Sequence, residues 1–149
     1  MITYSHQDFT KNLKVEYTVI NMFSGMREHM DKLYGVYNAD GGIIGELAYV
    51  IGKLRGKVHC ALCDITHKGV AKKKEWKVLE RALDIPLELV HLNEQKKELR
   101  EYTHGKSPCV VGEINDDLIM ILTSEELEGC KKSVKKFENM LNKSLQNLN

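Results

Sequence analysis

The segment from position 59 to position 67 is the part of the chain richest in residues that bind metals or act as nucleophiles. It reads His59-Cys60-Ala61-Leu62-Cys63-Asp64-Ile65-Thr66-His67. Thiolate and imidazole are ligands that zinc prefers, and a zinc site takes about four such groups. One hypothesis is therefore a site for zinc or another metal ion with Cys60, Cys63 and His67 as ligands.

The same residues could also perform thiol chemistry. A cysteine becomes a good nucleophile when a histidine or the N-terminus of a helix lowers its pKa. The second hypothesis is a thiol-dependent oxidoreductase or transferase in which Cys63 is the nucleophile, His67 activates it and Asp64 belongs to the same catalytic site. The third reading is structural, with Cys60 as a small buried apolar residue and His67 as the cap of a loop.

The local secondary structure decides whether the two cysteines can act together. The run of residues 58–65 predicts a β-strand. Side chains alternate between the two faces of a strand, so Cys60 and Cys63 would point in opposite directions. We expect the two sulfurs to converge only if the strand ends or bulges near Leu62, where Asp64 favours a turn.

A second candidate site lies at the turn of residues 38–42, which reads Asn38-Ala39-Asp40-Gly41-Gly42. Asp40 can cap a following helix, and the glycines Gly41 and Gly42 leave backbone N–H groups free at its positive end. Such an arrangement can bind an anion. Glu46, one turn into that helix, could reach a ligand bound there. A capped turn without any ligand is the alternative.

Hydrophobic periodicity and turn residues predict the order β-α-β-α-β, then a β-hairpin, then a helix. The predicted strands cover residues 33–37, 58–65, 87–92, 109–112 and 118–122. The predicted helices cover residues 18–31, 43–54, 76–83 and 96–102, and a long final helix runs to residue 145 behind a capping box of Thr123 and Glu126. Strands that alternate with helices form a partly parallel sheet with helices on both faces. We expect an α/β domain over residues 32–149, with residues 1–31 packed on it as a helical extension.

This order resembles that of the thioredoxin-like superfamily over residues 33–141. The strand, turn and helix of residues 34–54 are similar to the first unit of that fold. Two later segments look like its cis-proline loop with the terminal hairpin and its last helix. These segments are Lys106-Ser107-Pro108-Cys109-Val110-Val111 and Thr123-Ser124-Glu125-Glu126-Leu127. The resemblance implies a central mixed sheet and a cis peptide bond before Pro108.

The position of the cysteines departs from the family's pattern. Redox enzymes of this superfamily carry Cys-x-x-Cys at the first strand-to-helix turn, whereas the turn of residues 38–42 holds no cysteine. The pair at Cys60 and Cys63 comes later in the chain. The resemblance therefore supports the fold and argues against a simple transfer of the disulfide-exchange activity.

The expected topology gathers the candidate residues at one edge of the sheet. Open α/β sheets bind ligands at the carboxyl ends of their strands, and a right-handed crossover makes the first two predicted strands neighbours. In the thioredoxin-like order, Pro108 comes to the same edge. We expect a pocket there for a small molecule or a metal ion, lined by Asp40, Gly41, Gly42, Cys63, Asp64, His67, Pro108 and Cys109.

The composition of the whole chain limits its partners and its location. Among 149 residues, 22 are Lys or Arg and 21 are Asp or Glu, so the net charge of +1 attracts neither nucleic acid nor an anionic membrane. The polar start does not look like a secretory signal, and no apolar run reaches the roughly 20 residues of a membrane span. We therefore expect a cytoplasmic protein whose cysteines are free, metal-bound or redox-active. The methionine stripe of residues 18–31 adds one further hypothesis, a non-catalytic interaction module that pairs as a homodimer.

Overall fold

The computed structural model of the chain describes residues 29–41 and 59–148, which form a mixed α/β fold. Its strands are β1 (Lys32–Val36), β2 (His67–Lys68), β3 (Ala71–Lys72), β4 (Leu87–Val90), β5 (Cys109–Ile114) and β6 (Asp117–Leu122). Its helices are α1 (Ala61–Thr66), α2 (Lys74–Ala82), α3 (Lys97–Thr103), α4 (Ser124–Gly129) and α5 (Val134–Gln146), with a 3-10 turn at Leu92–Glu94. Most of the predicted elements are confirmed, within a few residues at their ends.

Four strands form a mixed sheet in the order β4-β1-β5-β6. The pair β1 and β4 is parallel, whereas β5 runs antiparallel to both β1 and β6. At the end of β1, Val36 lies opposite Val90 on one side and Cys109 on the other. The strands β2 and β3 form a separate hairpin of their own. The central mixed sheet that the sequence predicts is thus present.

The core lies on both faces of this sheet, because neighbouring residues of a strand point to opposite sides. Leu33 belongs to the larger apolar cluster, which α1, α2, α4 and α5 cover, and its neighbour Tyr34 belongs to a smaller cluster with Leu99 of α3. In the larger cluster, Trp76 of α2 and Phe137 of α5 are fully buried with their ring centres 5.0 Å apart. Helices therefore cover both faces, as expected.

The predicted strand over residues 58–65 is wrong, because this segment holds the helix α1. The residues Leu62 and Ile65 are fully buried at helical spacing, and the cap at Cys60 begins the helix. A short apolar run fits a buried strand and a buried helix equally well, and only packing separates them. The parallel neighbour of β1 is consequently β4, not the segment at 58–65.

The predicted single final helix is divided into α4 and α5. Between them Lys131 and Lys132 have backbone φ angles of 48° and 64°, in the left-handed region that an α-helix of L-residues cannot continue through. The hydroxyl of Ser133 then caps α5 by accepting the N–H of Lys136. The capping box that Thr123 and Glu126 form at the start of α4 is confirmed.

Three further predictions concern the chain outside these elements. The helices predicted over residues 43–54 and 18–31 lie outside the described residues, except for residues 29–31, which are not helical and lead into β1. The peptide bond between Ser107 and Pro108 is cis, as the resemblance implies. In the part of the chain that the structure describes, no helix is long and apolar enough to cross a membrane.

Candidate functional site

The two cysteines of the 59–67 segment lie together at the start of α1. Cys60 is the N-cap and Cys63 lies in the first turn, so the helical spacing of three residues brings their side chains to one side. The two sulfurs form a disulfide, with the Cα atoms 5.3 Å apart. The backbone N–H of Cys63 donates to the Cys60 sulfur across 3.3 Å. The convergence that a strand would have prevented therefore follows from the helix.

Packing against β1 fixes the position of α1. Gly35 of β1 makes room for the helix, because a Cβ at this position would lie 3.3 Å from the Leu62 side chain and 2.6 Å from that of Leu89. At the other end of α1, Lys73 binds the last carbonyls. Its backbone N–H donates to the carbonyl of Thr66, and its Nζ donates to the carbonyl of Asp64 at 2.7 Å. These contacts satisfy acceptors that a helix C-terminus leaves without partners.

Charged side chains flank the disulfide on the surface. His59, directly before Cys60, places its Nε2 2.5 Å from the Glu128 carboxylate of α4, and its Nδ1 lies 3.9 Å from the Asp64 carboxylate. The Asp64 carboxylate is also 3.4 Å from the ammonium of Lys132. Asp64, predicted as a catalytic residue, therefore belongs to an exposed ion-pair cluster next to the cysteine pair.

His67, the predicted partner of Cys63, is held in a buried hydrogen-bond chain. Its Nδ1 lies 2.7 Å from the hydroxyl oxygen of Thr66, which in turn lies 3.0 Å from the Tyr37 hydroxyl. Thr66 is fully buried, and Tyr37 is almost so. Burial, assisted by the charge of Lys72, lowers the pKa of His67 below its ordinary value of 6.5. The imidazole is therefore neutral at neutral pH.

One assignment of the hydrogens satisfies every group in this series of hydrogen bonds. Burial raises the pKa of Tyr37 to about 12, so its hydroxyl stays protonated and donates to Thr66. Thr66 has one hydrogen of its own, and the carbonyl of Leu62 lies 3.0 Å away to accept it. His67 Nδ1 then donates to Thr66, which leaves the lone pair of the ring on Nε2. In this tautomer, Nε2 of His67 is the nitrogen that can accept a proton or bind a metal.

The carboxyl ends of the parallel strands β1 and β4 lie side by side at one edge of the sheet. Tyr37 follows β1 and His91 follows β4, and their ring centres are 5.0 Å apart. His91 packs against Tyr37 and is only 9% exposed. Its Nδ1 lies 2.6 Å from the Glu94 carboxylate. Sequence reasoning missed both Tyr37 and His91, although their position directly after strands of a parallel pair is a signal for this edge.

The predicted turn residues Asp40 and Gly41 lie at this same edge. The N–H of Gly41 donates to the Asn93 side chain at 2.6 Å, and the Asn93 amide donates back to the Gly41 carbonyl. These contacts tie the turn after β1 to the turn after β4. The other two predicted members of this site, Gly42 and Glu46, lie outside the described residues.

Pro108 and Cys109 reach the edge from β5. Cys109 lies opposite Val36 at the end of β1, so the preceding Pro108 stands at the level of Tyr37. Pro108 is buried, and Cys109 is fully buried in the smaller apolar cluster. Burial raises the pKa of the Cys109 thiol to about 11. This thiol is therefore unreactive at neutral pH.

The predicted pocket is brought together only in part. Tyr37 connects the cysteine segment with the 38–41 turn. Its ring centre lies 6.2 Å from that of His67, and the residue directly precedes the turn. The shared pocket itself stays a prediction. Within residues 29–41 and 59–148, no group of three or more His, Cys, Asp or Glu side chains is placed to hold a metal ion. The zinc prediction gains no support there, and the Cys60–Cys63 disulfide leaves neither of its two thiolates free.

The chain was compared with protein-family models, with curated proteins and with solved structures, and none of them matches it.

Proposed function

We propose that this chain is a thioredoxin-like thiol–disulfide oxidoreductase in which Cys60 and Cys63 alternate between a disulfide and a dithiol. The observation that carries the proposal is the disulfide between these two residues at the start of α1. Two thiols held one helical turn apart re-form their disulfide quickly, because the second thiol attacks within the same molecule. A Cys-x-x-Cys pair of this kind commonly has one thiol of lowered pKa.

The order of the elements supports the thioredoxin-like assignment. The sheet order β4-β1-β5-β6 combines a parallel pair with an antiparallel hairpin, and Pro108 precedes the first strand of that hairpin. The helix α1 is the first described helix after β1, and the cysteine pair stands at its beginning. Redox enzymes of this superfamily also carry their cysteines at the beginning of a helix that follows the first strand, and residues 42–58, between β1 and α1, lie outside the described residues. The sequence argument against this activity had two parts, the absence of cysteine from the turn of residues 38–42 and the placement of the pair on a second strand. The second part no longer holds, because residues 61–66 form a helix.

The exchange requires two displacement steps. In the dithiol form, the Cys60 thiolate attacks one sulfur of a substrate disulfide, a mixed disulfide forms and the other substrate sulfur leaves as a thiolate. Cys63 then loses its proton to the released thiolate or to water and attacks the Cys60 sulfur. The second substrate thiolate leaves, and the Cys60–Cys63 disulfide is restored. The substrate has gained two electrons, which an external dithiol returns to the protein.

Local hydrogen bonding selects Cys60 as the attacking thiolate. The N–H of Cys63 points at the Cys60 sulfur, and a hydrogen bond to the charged form of a group favours that form. The two remaining cysteines are poor candidates. Cys109 and Cys130 are fully buried, and burial raises the pKa of both thiols.

The proposal is tested by the reduction of insulin disulfides with dithiothreitol as the electron donor. We expect the wild-type protein to accelerate the reaction and Cys60→Ser to abolish the acceleration. The matched control is Cys130→Ser, because the buried Cys130 thiol donates to the Glu126 carbonyl, which a serine hydroxyl can also do. Equal rates with wild type and Cys60→Ser would refute the proposal.

A further inference from the structure

An open groove of about 640 Å³ lies between α2 and the first turn of α5. Val78 and Ala82, one turn apart on α2, are exposed in it, and Leu79 and Val134 complete its apolar lining. Within the described residues, Val78 is the most exposed of the large apolar side chains, at 64%. Its volume falls in the range of roughly 300–1,000 Å³ that is usual for binding clefts. The groove therefore offers room and an apolar surface to a binding partner.

The charged residues of the groove favour an acidic partner. Its lining contains four lysines and two glutamates, which gives a net charge of +2. The lysines are Lys68, Lys73, Lys132 and Lys135, and the glutamates are Glu75 and Glu138. The helix α5, which is 13 residues long, also begins at this groove, and the N-terminus of a helix carries a partial positive charge. Carboxylates of a partner would meet attraction from both sources.

The contacts of these lysines hold them in place and connect the groove to the cysteine segment. The Lys73 ammonium binds the backbone carbonyls of Asp64 and Lys132 at 2.7 Å each, and carbonyls carry no net charge that would cancel its own. The Lys132 ammonium faces the Asp64 carboxylate at 3.4 Å, and Lys135 pairs with Glu138 at 2.8 Å. Exposed pairs of this kind are weak, so they leave the lysines able to bind a further carboxylate. Asp64 directly follows Cys63, so the groove adjoins the segment that carries the cysteine pair.

We propose that this groove docks a short acidic segment of a partner protein, with an apolar side chain of that segment on Val78 and its carboxylates on the lysines. The inference goes beyond the proposed exchange, because no residue of the groove takes part in the exchange steps. The apolar lining supplies an anchor and the charges supply specificity, which is the usual division in protein recognition. A nucleic acid fits less well. None of the described residues that line the groove is an aromatic residue on which a base could stack, and two of them are acidic.

The test is an NMR titration of the isotope-labelled full chain with a pentapeptide that has leucine at its centre and two glutamates on each side. We expect saturable shifts of the amide signals of α2 and of the first turn of α5 at millimolar peptide, and weaker binding at about 0.5 M salt, which screens exposed charges. A peptide with lysines in place of the glutamates should not bind. A peptide with serine in place of the leucine should bind more weakly.

Two substitutions in the groove, each with a matched control, test the two kinds of contact. We expect Val78→Ser to weaken binding of the pentapeptide about three- to tenfold, because part of the valine surface is buried by the peptide. The control is Val70→Ser, at an exposed valine in the turn between β2 and β3. Lys68→Gln should weaken binding roughly two- to fivefold, as suits an exposed charge pair. The control is Lys97→Gln, at an exposed lysine on α3.

Several outcomes would overturn the inference. These are the absence of saturable shifts, shifts that lie outside the groove, and equal binding by wild type and Val78→Ser. If an oligothymidine shifts the same amides at lower concentration than the pentapeptide, the groove belongs to a nucleic acid instead. If the same signals shift with protein concentration alone, its occupant is a second copy of this chain. Each of these results leaves the proposed exchange untouched, because the pentapeptide contains no cysteine.

Discussion

The backbone N–H of Cys63 donates a hydrogen bond to the sulfur of Cys60 across 3.3 Å, from within the first turn of the helix that Cys60 caps. The two residues are therefore not equivalent, although a disulfide joins them. In the proposed exchange, the N–H that completes the cap in the oxidised protein faces the sulfur that would carry the charge after reduction. Under that proposal, capping of α1 and activation of Cys60 would depend on one contact.

The four thiols of the reduced protein should differ in their reaction with iodoacetamide. We expect Cys60 and Cys63 to be alkylated in the folded protein, and Cys109 and Cys130 only after unfolding in urea. Cys63 is partly exposed and Cys60 keeps 7% of its surface exposed, whereas the last two are fully buried and burial raises the pKa of the Cys109 thiol to about 11. Peptide mapping by mass spectrometry after a timed reaction gives the order. Alkylation of Cys109 as early as Cys60 would contradict the burial.

The Tyr37–Thr66 contact should contribute measurably to stability. Thr66→Val keeps the side-chain volume but leaves the buried Tyr37 hydroxyl without an acceptor, which costs about 1–3 kcal/mol. Tyr37→Phe removes the donor and leaves Thr66 with the Leu62 carbonyl, so we expect a smaller loss of about 1 kcal/mol. Urea unfolding at constant redox state measures both values.

The double variant of this pair supplies the control. Once the Tyr37 hydroxyl is gone, Thr66→Val no longer leaves it unsatisfied, so the combined loss should be smaller than the sum of the two single losses. Strict additivity would show that the two hydroxyl groups are not coupled.

Acid should destabilise the fold through His67. Its pKa is lowered in the folded protein, so between that value and the ordinary 6.5 the unfolded chain binds a proton that the folded protein does not. Stability therefore falls as the pH drops through this window and levels off once the folded protein also binds the proton. Unfolding measured at several pH values should show this slope in wild type and a smaller one in His67→Gln.

Lys72→Gln tests the cause of that slope. The Lys72 charge contributes to the lowered pKa of His67, so its removal should reduce the slope without abolishing it. Equal slopes in wild type and His67→Gln would assign the acid sensitivity to other groups.

Periodicity and turn chemistry were sufficient for most of the sheet but not for the cysteine segment. The strand at residues 33–37, the hairpin around Asn115 and the Thr123 cap follow from local patterns, and they are present. The segment from Ala61 to Thr66 has no such pattern, because its burial comes from contacts with α4 and α5, which are distant in sequence. A strand at this place would put Cys60 and Cys63 on opposite faces, whereas the helix brings them together.

The side chains around the cysteine pair and the carboxyl edge come from segments that are far apart in sequence, so no local pattern predicts their contacts. Tyr37 meets Thr66 and His91 because three different elements end at the same place. Glu128 reaches His59 because α4 packs beside α1, and the break at Lys131 and Lys132 ends α4 in that position. The sequence alone shows these residues only as isolated polar positions.

The most direct test of the proposed exchange is to trap its intermediate with Cys63→Ser. Without Cys63 the mixed disulfide cannot be resolved, so incubation of the reduced variant with oxidised glutathione should leave one glutathione attached to Cys60, detected by mass spectrometry of the intact protein and its peptides. Cys60→Ser should form this adduct more slowly at Cys63, because Cys63 lacks the N–H contact that Cys60 receives. An adduct on Cys63 that forms faster than the one on Cys60, or no adduct on either residue, would contradict the account.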